Sequence, residues 1–201
     1  LDPKMGLKDW AGCLDAVYID VDDISIDLSP PRGLDYPRFL PSLMSQLGDI
    51  LGLIYGSEIL QEAAAICMDL RDQYAQQTGQ DTEISLFDIY QAIPFVKDTS
   101  KGRRQGYREA ASTSLGRILT GSGNLFKCRK GIDLATLFNH NLIVGCRSIT
   151  DDFAAKFLSF FLLYWLYESE RFSQPSDRLK RVLILDDASR YLSIRDGFDA
   201  A

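Results

Sequence analysis

The tightest constraint on this chain is an apolar strand, a long helix and a second apolar strand near its C-terminal end. NLIVGCR (141–147) and RVLILDD (181–187) flank a helical stretch that runs from about 151 to 172. Each strand core is apolar without alternation, so both of its faces are hidden. Strands of that kind belong in a parallel sheet covered by helices. The right-handed crossover rule places NLIVGCR and RVLILDD in one sheet with the helix between them. Upstream, VYIDVDDISIDL (17–28) reads as one or two short strands and LFKC (125–128) as another.

The stretch between is helical. SPPRG (29–33) is a turn, and a helix runs from Asp35 to about Ile54. Ser57 caps a second helix, Gly79 stops it, and Ile59, Ala63, Ile66, Leu70 and Tyr74 form one apolar face. A shorter helix follows Ser85 and breaks near Pro94, and another covers 107–119. GIDLATLFN forms a short helix, and Thr150 caps the long one. The expected class is therefore α/β: a mainly parallel sheet from residues 1–34 and 121–201, with 35–120 as a mostly helical insertion.

Composition removes several function classes. A formal charge of -6 argues against a generally basic, nucleic-acid-coating surface, though not against a local basic loop. Cys13, Cys67, Cys128 and Cys146 form no CxxC pair and read as buried reduced thiols, which fits a cytoplasmic location. A zinc site would need those scattered thiols to converge with the single His140, which belongs to a turn before a strand. FLSFFLLYWLY (157–167) falls short of the ~20 residues of a bilayer crossing and reads as a buried helix. The chain opens at Leu1 inside LDPKMG, which resembles the tail of a strand, so a fragment of a longer protein is expected.

Three readings compete for Asp186 and Asp187. They could cap a following helix, form a phospho-acceptor pocket, or face Mg²⁺ and ATP at the carboxyl end of a strand, where ligands of open parallel sheets bind. The phospho-acceptor reading needs roughly a hundred further residues, and fourteen follow Asp187 here. Pattern alone leaves the other two level. TGSGNLFKCRKG (120–131) is not a phosphate-cradling loop, because Lys127 follows Phe126 and precedes Cys128. KDTSKGRRQG (97–106) could touch phosphates or simply be a solvated loop. Arg147, at the end of NLIVGC, could sense phosphate or pair with an acid such as Asp151.

The order of these pieces resembles the HerA/FtsK-type P-loop ATPases, in the branch of HerA-like translocases and TraG-like and type IV secretion ATPases. LDPKMGLKDW resembles their second strand, and DLSPPRGLDYPRFLPSLMSQLGDILGLIYGSEIL their proline turn and paired helices. FKCRKGIDLATLFNHNLIVGCRSITDDFAAKFLSFFLLYWLYESERF resembles their short strand, Arg-Lys-Gly-hydrophobic-Asp-Leu motif, buried strand and long helix. RVLILDDASRYL resembles their Walker B strand. The resemblance implies a P-loop NTPase-like fold, with ATP and Mg²⁺ as cofactors and a homo-oligomeric ring. It also implies movement of DNA or a conjugative substrate, with membrane-associated secretion or conjugation machinery as a partner. It makes Asp186 the Mg²⁺-side acid and puts Asp187 at the catalytic position, where the family usually carries glutamate. Its Walker A loop would precede Leu1. The alternative is a degenerate, non-hydrolysing relative that serves as a structural or docking subunit.

Overall fold

The computed structural model describes residues 6–53, 55–97 and 103–171. Among these residues two strands, β1 (Ala16–Asp20) and β2 (Asn141–Gly145), pair in parallel with Ala16 opposite Asn141 and Asp20 opposite Gly145. Parallel neighbours need a long connection, and this one carries α1 (Tyr36–Ile50), α2 (Gly56–Thr78), α3 (Leu86–Ala92), α4 (Arg103–Gly121) and α5 (Leu134–Leu137). The long helix α6 (Asp152–Arg171) follows β2. The chain thus mixes helices with a parallel strand pair. RVLILDD, Asp186, Asp187 and the expected pairing with NLIVGCR lie outside the described residues.

Local chemistry explains most helix ends. Asp35 is the N-cap of α1 and accepts from Arg38 N at 3.2 Å. Ser85 and Asp88 form a reciprocal capping box on α3. Gly79 ends α2 with φ +69°, a left-handed conformation that a side chain would strain, and its N–H reaches Ala75 O at 2.8 Å. A 3-10 turn at Ile93–Phe95, with Pro94 in it, closes α3 as expected.

Several expectations need correction. LFKC is not a strand: residues 122–127 are turns, and its apolar pair Leu125 and Phe126 is buried from that turn. Of the one or two strands expected in VYIDVDDISIDL, one forms, since Val21–Asp23 coils into a 3-10 turn and 24–30 runs on as an extended segment outside the ladder. Ser57 does not cap α2, whose N-cap is Tyr55 without a side-chain hydrogen bond. Asp151, not Thr150, caps α6 by accepting from Phe153 N at 2.8 Å. The apolar face of α2 holds only at its start: Ile59 and Ala63 are buried, whereas Leu70 is 58% exposed. Cys67 and Cys146 are buried, but Cys13 and Cys128 sit on exposed loops. Among the described residues no helix is long and apolar enough to cross a membrane.

One hydrophobic cluster joins the helices to the strand region. Helix α6 supplies Phe157, Leu158 and Phe161 to it, each almost fully buried. Burying a side chain of that size contributes roughly 1.5–3 kcal/mol. Phe126 meets Phe157 edge-on at 4.9 Å, and Phe39 stacks on Tyr164 at 5.5 Å. The polar tips on α6 are also used: Tyr164 Oη donates to Ser42 Oγ at 2.8 Å, and Trp165 Nε1 to Ser29 O at 3.0 Å. These contacts fix α6, α1 and the 24–30 segment relative to one another, and so fix where both strands end.

Candidate functional site

The register of β1 and β2 brings their carboxyl ends to one edge, the side on which open parallel sheets bind ligands. Asp20 closes β1 and accepts from Asp22 N at 3.2 Å, which winds Val21–Asp23 into its turn. Val21 dips into the core, while Asp22 and Asp23 face solvent. From β2, buried Cys146 leads to exposed Arg147 and Ser148. Arg147 therefore stands where the sequence puts it, at the carboxyl end of a strand. Asp151 is bound to Arg117, whose Nη2 lies 2.8 Å from Asp151 Oδ2.

Asp186 and Asp187 fall outside the described residues, so the edge carries Asp20, Asp22, Asp23 and Arg147 from the described part of the chain. The three aspartates went unnoticed as a site in the sequence. Their signal was present: in VYIDVDD an apolar run ends in acids, as one does in the sequence RVLILDD, but its alternating acids disguise it as a half-exposed strand. Among the described residues no three His, Cys, Asp or Glu side chains gather closely enough to hold a metal. The described aspartates thus do not make a Mg²⁺ cage by themselves.

The Arg-Lys-Gly-hydrophobic-Asp-Leu motif is largely consumed by the fold. Arg129 forks onto Asp88, with Nε and Nη2 at 3.0 and 2.8 Å from Oδ1. Burial pushes the Asp88 carboxyl up, but hydrogen bonds from Arg129 and Ser85 more than offset it and hold it below the ordinary range. Nearby, burial and the Asp88 charge push the Cys67 thiol up to about 12, which keeps it an inert neutral thiol.

Gly131 backs directly onto the extended segment. A Cβ there would lie 2.8 Å from both Ile26 Cα and Ser25 O. Its N–H donates to Asp27 Oδ2 at 2.6 Å, and Ile132 N donates to Ser25 O at 2.7 Å. The other Asp27 oxygen accepts from Ser29 N at 2.9 Å and from the Ser29 hydroxyl. Asp133 then caps α5, accepting from Thr136 Oγ1 at 2.6 Å and Ala135 N at 3.0 Å. The Thr136 hydroxyl bond, with smaller help from backbone amides, keeps the Asp133 carboxyl below its usual range.

Two cavities of about 370 and 380 Å³ lie elsewhere. The first opens at the amino end of the strands between Asp15, Asn139 and His140. The second lies beside the start of α1, between Tyr36, Arg71 and Glu83. There the Arg71 guanidinium stacks over the Tyr36 ring at 4.6 Å, and Tyr36 Oη donates to Glu83.

Neither a protein-family model, nor a curated protein, nor a solved structure matches the chain.

Proposed function

We propose that the chain is part of an ATP-dependent motor with a P-loop NTPase-like core of the HerA/FtsK kind. The motor works as a homo-oligomeric ring on the cytoplasmic side and couples ATP hydrolysis to moving DNA or a conjugative substrate. It docks on membrane-associated secretion or conjugation machinery. The observation that carries the reading is the parallel register of β1 and β2, which sets Asp20, Asp22, Asp23 and Arg147 along one carboxyl edge. In this reading Asp186 and Asp187 join that edge from a further strand. Asp186 stands on the Mg²⁺ side, Asp187 orients the attacking water, and Arg147 senses phosphate.

A second reading, a non-hydrolysing docking subunit, is favoured by Asp187, whose carboxylate is one methylene shorter than the glutamate usual in the resembling family. Misplacing a catalytic group by about 1 Å costs ~10²-fold in rate. The test is Mg²⁺-dependent ATP hydrolysis by the protein from its complete reading frame, with and without DNA. The motor reading expects Asp186→Asn to abolish turnover and Asp187→Glu to raise it by roughly tenfold or more. Background rates in the wild type and both variants would leave the docking subunit in place.

A further inference from the structure

The cavity of about 380 Å³ beside the start of α1 lies at the small end of the range for ligand pockets. Pro30 and Leu34, from the turn before α1, and Met68, from α2, give it an apolar wall. Its charged lining is Asp35, Arg71, Asp72 and Glu83. Tyr36 and Arg71 hold the pocket in shape. Tyr36 is 7% exposed, and its hydroxyl accepts from Ile84 N at 3.3 Å while donating to Glu83. Burial, together with the bond to Glu83, raises the phenol's pKa, so Tyr36 stays a neutral donor. Arg71 stacks on the Tyr36 ring and donates from Nε to Thr82 O at 2.8 Å.

The charges of the pocket do not cancel. Arg71 is the single cation of the lining, and Asp81 and Asp72 already hold it at 2.6 and 3.2 Å. Arg38 reaches Asp35 only at 4.0 Å, and both side chains are mostly exposed, so that pair is weak. With Asp81 and Arg38 counted, four carboxylates stand against two guanidinium groups. Glu83 is the carboxylate left over. It is half-buried and accepts from a neutral phenol, and among the described residues no Lys or Arg pairs with it. An anionic ligand is repelled by this lining. The start of α1 offers it little in return, because Asp35 takes the Arg38 amide and Pro37 has no N–H. A half-buried carboxylate beside an apolar wall instead suits a cation that carries its own apolar stem.

We propose that this pocket binds a small organic cation, an alkyl ammonium or guanidinium group whose head pairs with Glu83 and whose stem lies along Leu34 and Met68. Met68 reports binding directly. The whole chain, labelled with ¹³C-methyl methionine, is titrated with n-butylguanidinium and followed by NMR, with no nucleotide present. The Met68 signal is expected to shift and saturate with a Kd of about 1 mM or below. The signal of Met44, fully buried in the core, stays still as the internal control. Butyrate and butanol carry a comparable stem on an anionic or neutral head and should bind about tenfold more weakly or worse. Glu83→Gln keeps an acceptor for Tyr36 but removes the charge, and should weaken the cation about tenfold. The comparison of head groups needs no variant, so it stands even where Glu83→Gln destabilises the chain. Asp69→Asn removes an exposed acid of α2 outside the pocket lining and should leave affinity unchanged. A capped pentapeptide with one central arginine separates the two sources of such a head. Tighter binding than n-butylguanidinium assigns it to a protein side chain, and weaker binding to a free amine or guanidine. A Met68 shift that does not saturate by about 20 mM, equal affinity for butyrate, or unchanged cation affinity in Glu83→Gln would each overturn the proposal.

Discussion

Residues 129–133 and residues 20–23 are both short charged stretches beside a chain reversal, yet the fold uses them in opposite ways. In the first, Arg129, Gly131 and Asp133 each have a structural partner: Asp88, the backbone of 25–27, and the first turn of α5. In the second, Asp20 caps a single turn while Asp22 and Asp23 face water at the carboxyl edge of the strands. A charged motif therefore says little until its partners are known. The motif that looks most family-like in the sequence is the more structural of the two, and the plainer one stands at the carboxyl edge of the strands.

The largest effect should come from Gly131→Ala. A single methyl group placed 2.8 Å from Ile26 Cα and Ser25 O cannot be relieved by rotating a side chain, because both neighbours are backbone. The chain must shift, and the hydrogen bonds from Gly131 N to Asp27 and from Ile132 N to Ser25 weaken with it. The expected loss is about 2–4 kcal/mol in urea unfolding. A loss under about 0.5 kcal/mol, the range of ordinary surface changes, would show that 129–133 does not hold the extended segment, and the contrast would collapse.

Acid titration sharpens the same contrast at Asp88. Its folded carboxyl titrates below the unfolded value of 3.8, so the folded state favours the charged form. That stability is present above the unfolded value and is lost as pH falls through the lower folded one. Wild-type stability should therefore decline below about pH 4. Asp88→Asn should flatten this limb. Arg129→Ala removes the bidentate partner, raises the folded value and shrinks the limb without abolishing it, because the Ser85 bonds remain. Denaturation midpoints measured from pH 5 down to pH 2.5 check this. An identical limb in the Asp88→Asn variant would assign the acid sensitivity to other carboxylates.

Features with local causes were legible in the sequence. Asp35, Ser85 and Gly79 mark helix ends because each acts on amides or carbonyls within one turn. The strand at 141–145 was legible from its unbroken apolar run, and Arg147 could be placed at its end by counting. Features set by distant partners were not. Asp27 meets Gly131 across 104 positions, with nothing nearby to announce it. LFKC looks like a strand because it opens on two adjacent apolar residues, but burial of Leu125 and Phe126 from a turn meets the same demand. Helix α2 keeps its helical period beyond the surface it packs on, so Leu70 and Tyr74 remain exposed although the pattern placed them inside. Asp20 to Asp23 were missed for a different reason: alternation with valine and isoleucine has the signature of a half-exposed strand, and only the strand's end at Asp20 separates the two cases.

The smallest effect belongs to Asp22→Asn with Asp23→Asn, and it is the one that tests the edge itself. Both side chains face solvent, and the cap of the turn comes from Asp20, not from them. Neutralising them should leave unfolding free energy within about 0.5 kcal/mol and even relieve mutual repulsion at low salt. Their weight lies in the potential at the carboxyl ends of β1 and β2, where Arg147 also stands. If that edge faces nucleotide with Mg²⁺, removing two negative charges should change the magnesium concentration at half-maximal ATPase rate while the denaturation midpoint stays fixed. A fall in stability above about 1.5 kcal/mol instead would mean that 20–23, like 129–133, is held by the fold. The two regions would then be alike, and the edge would lose its claim as the working face.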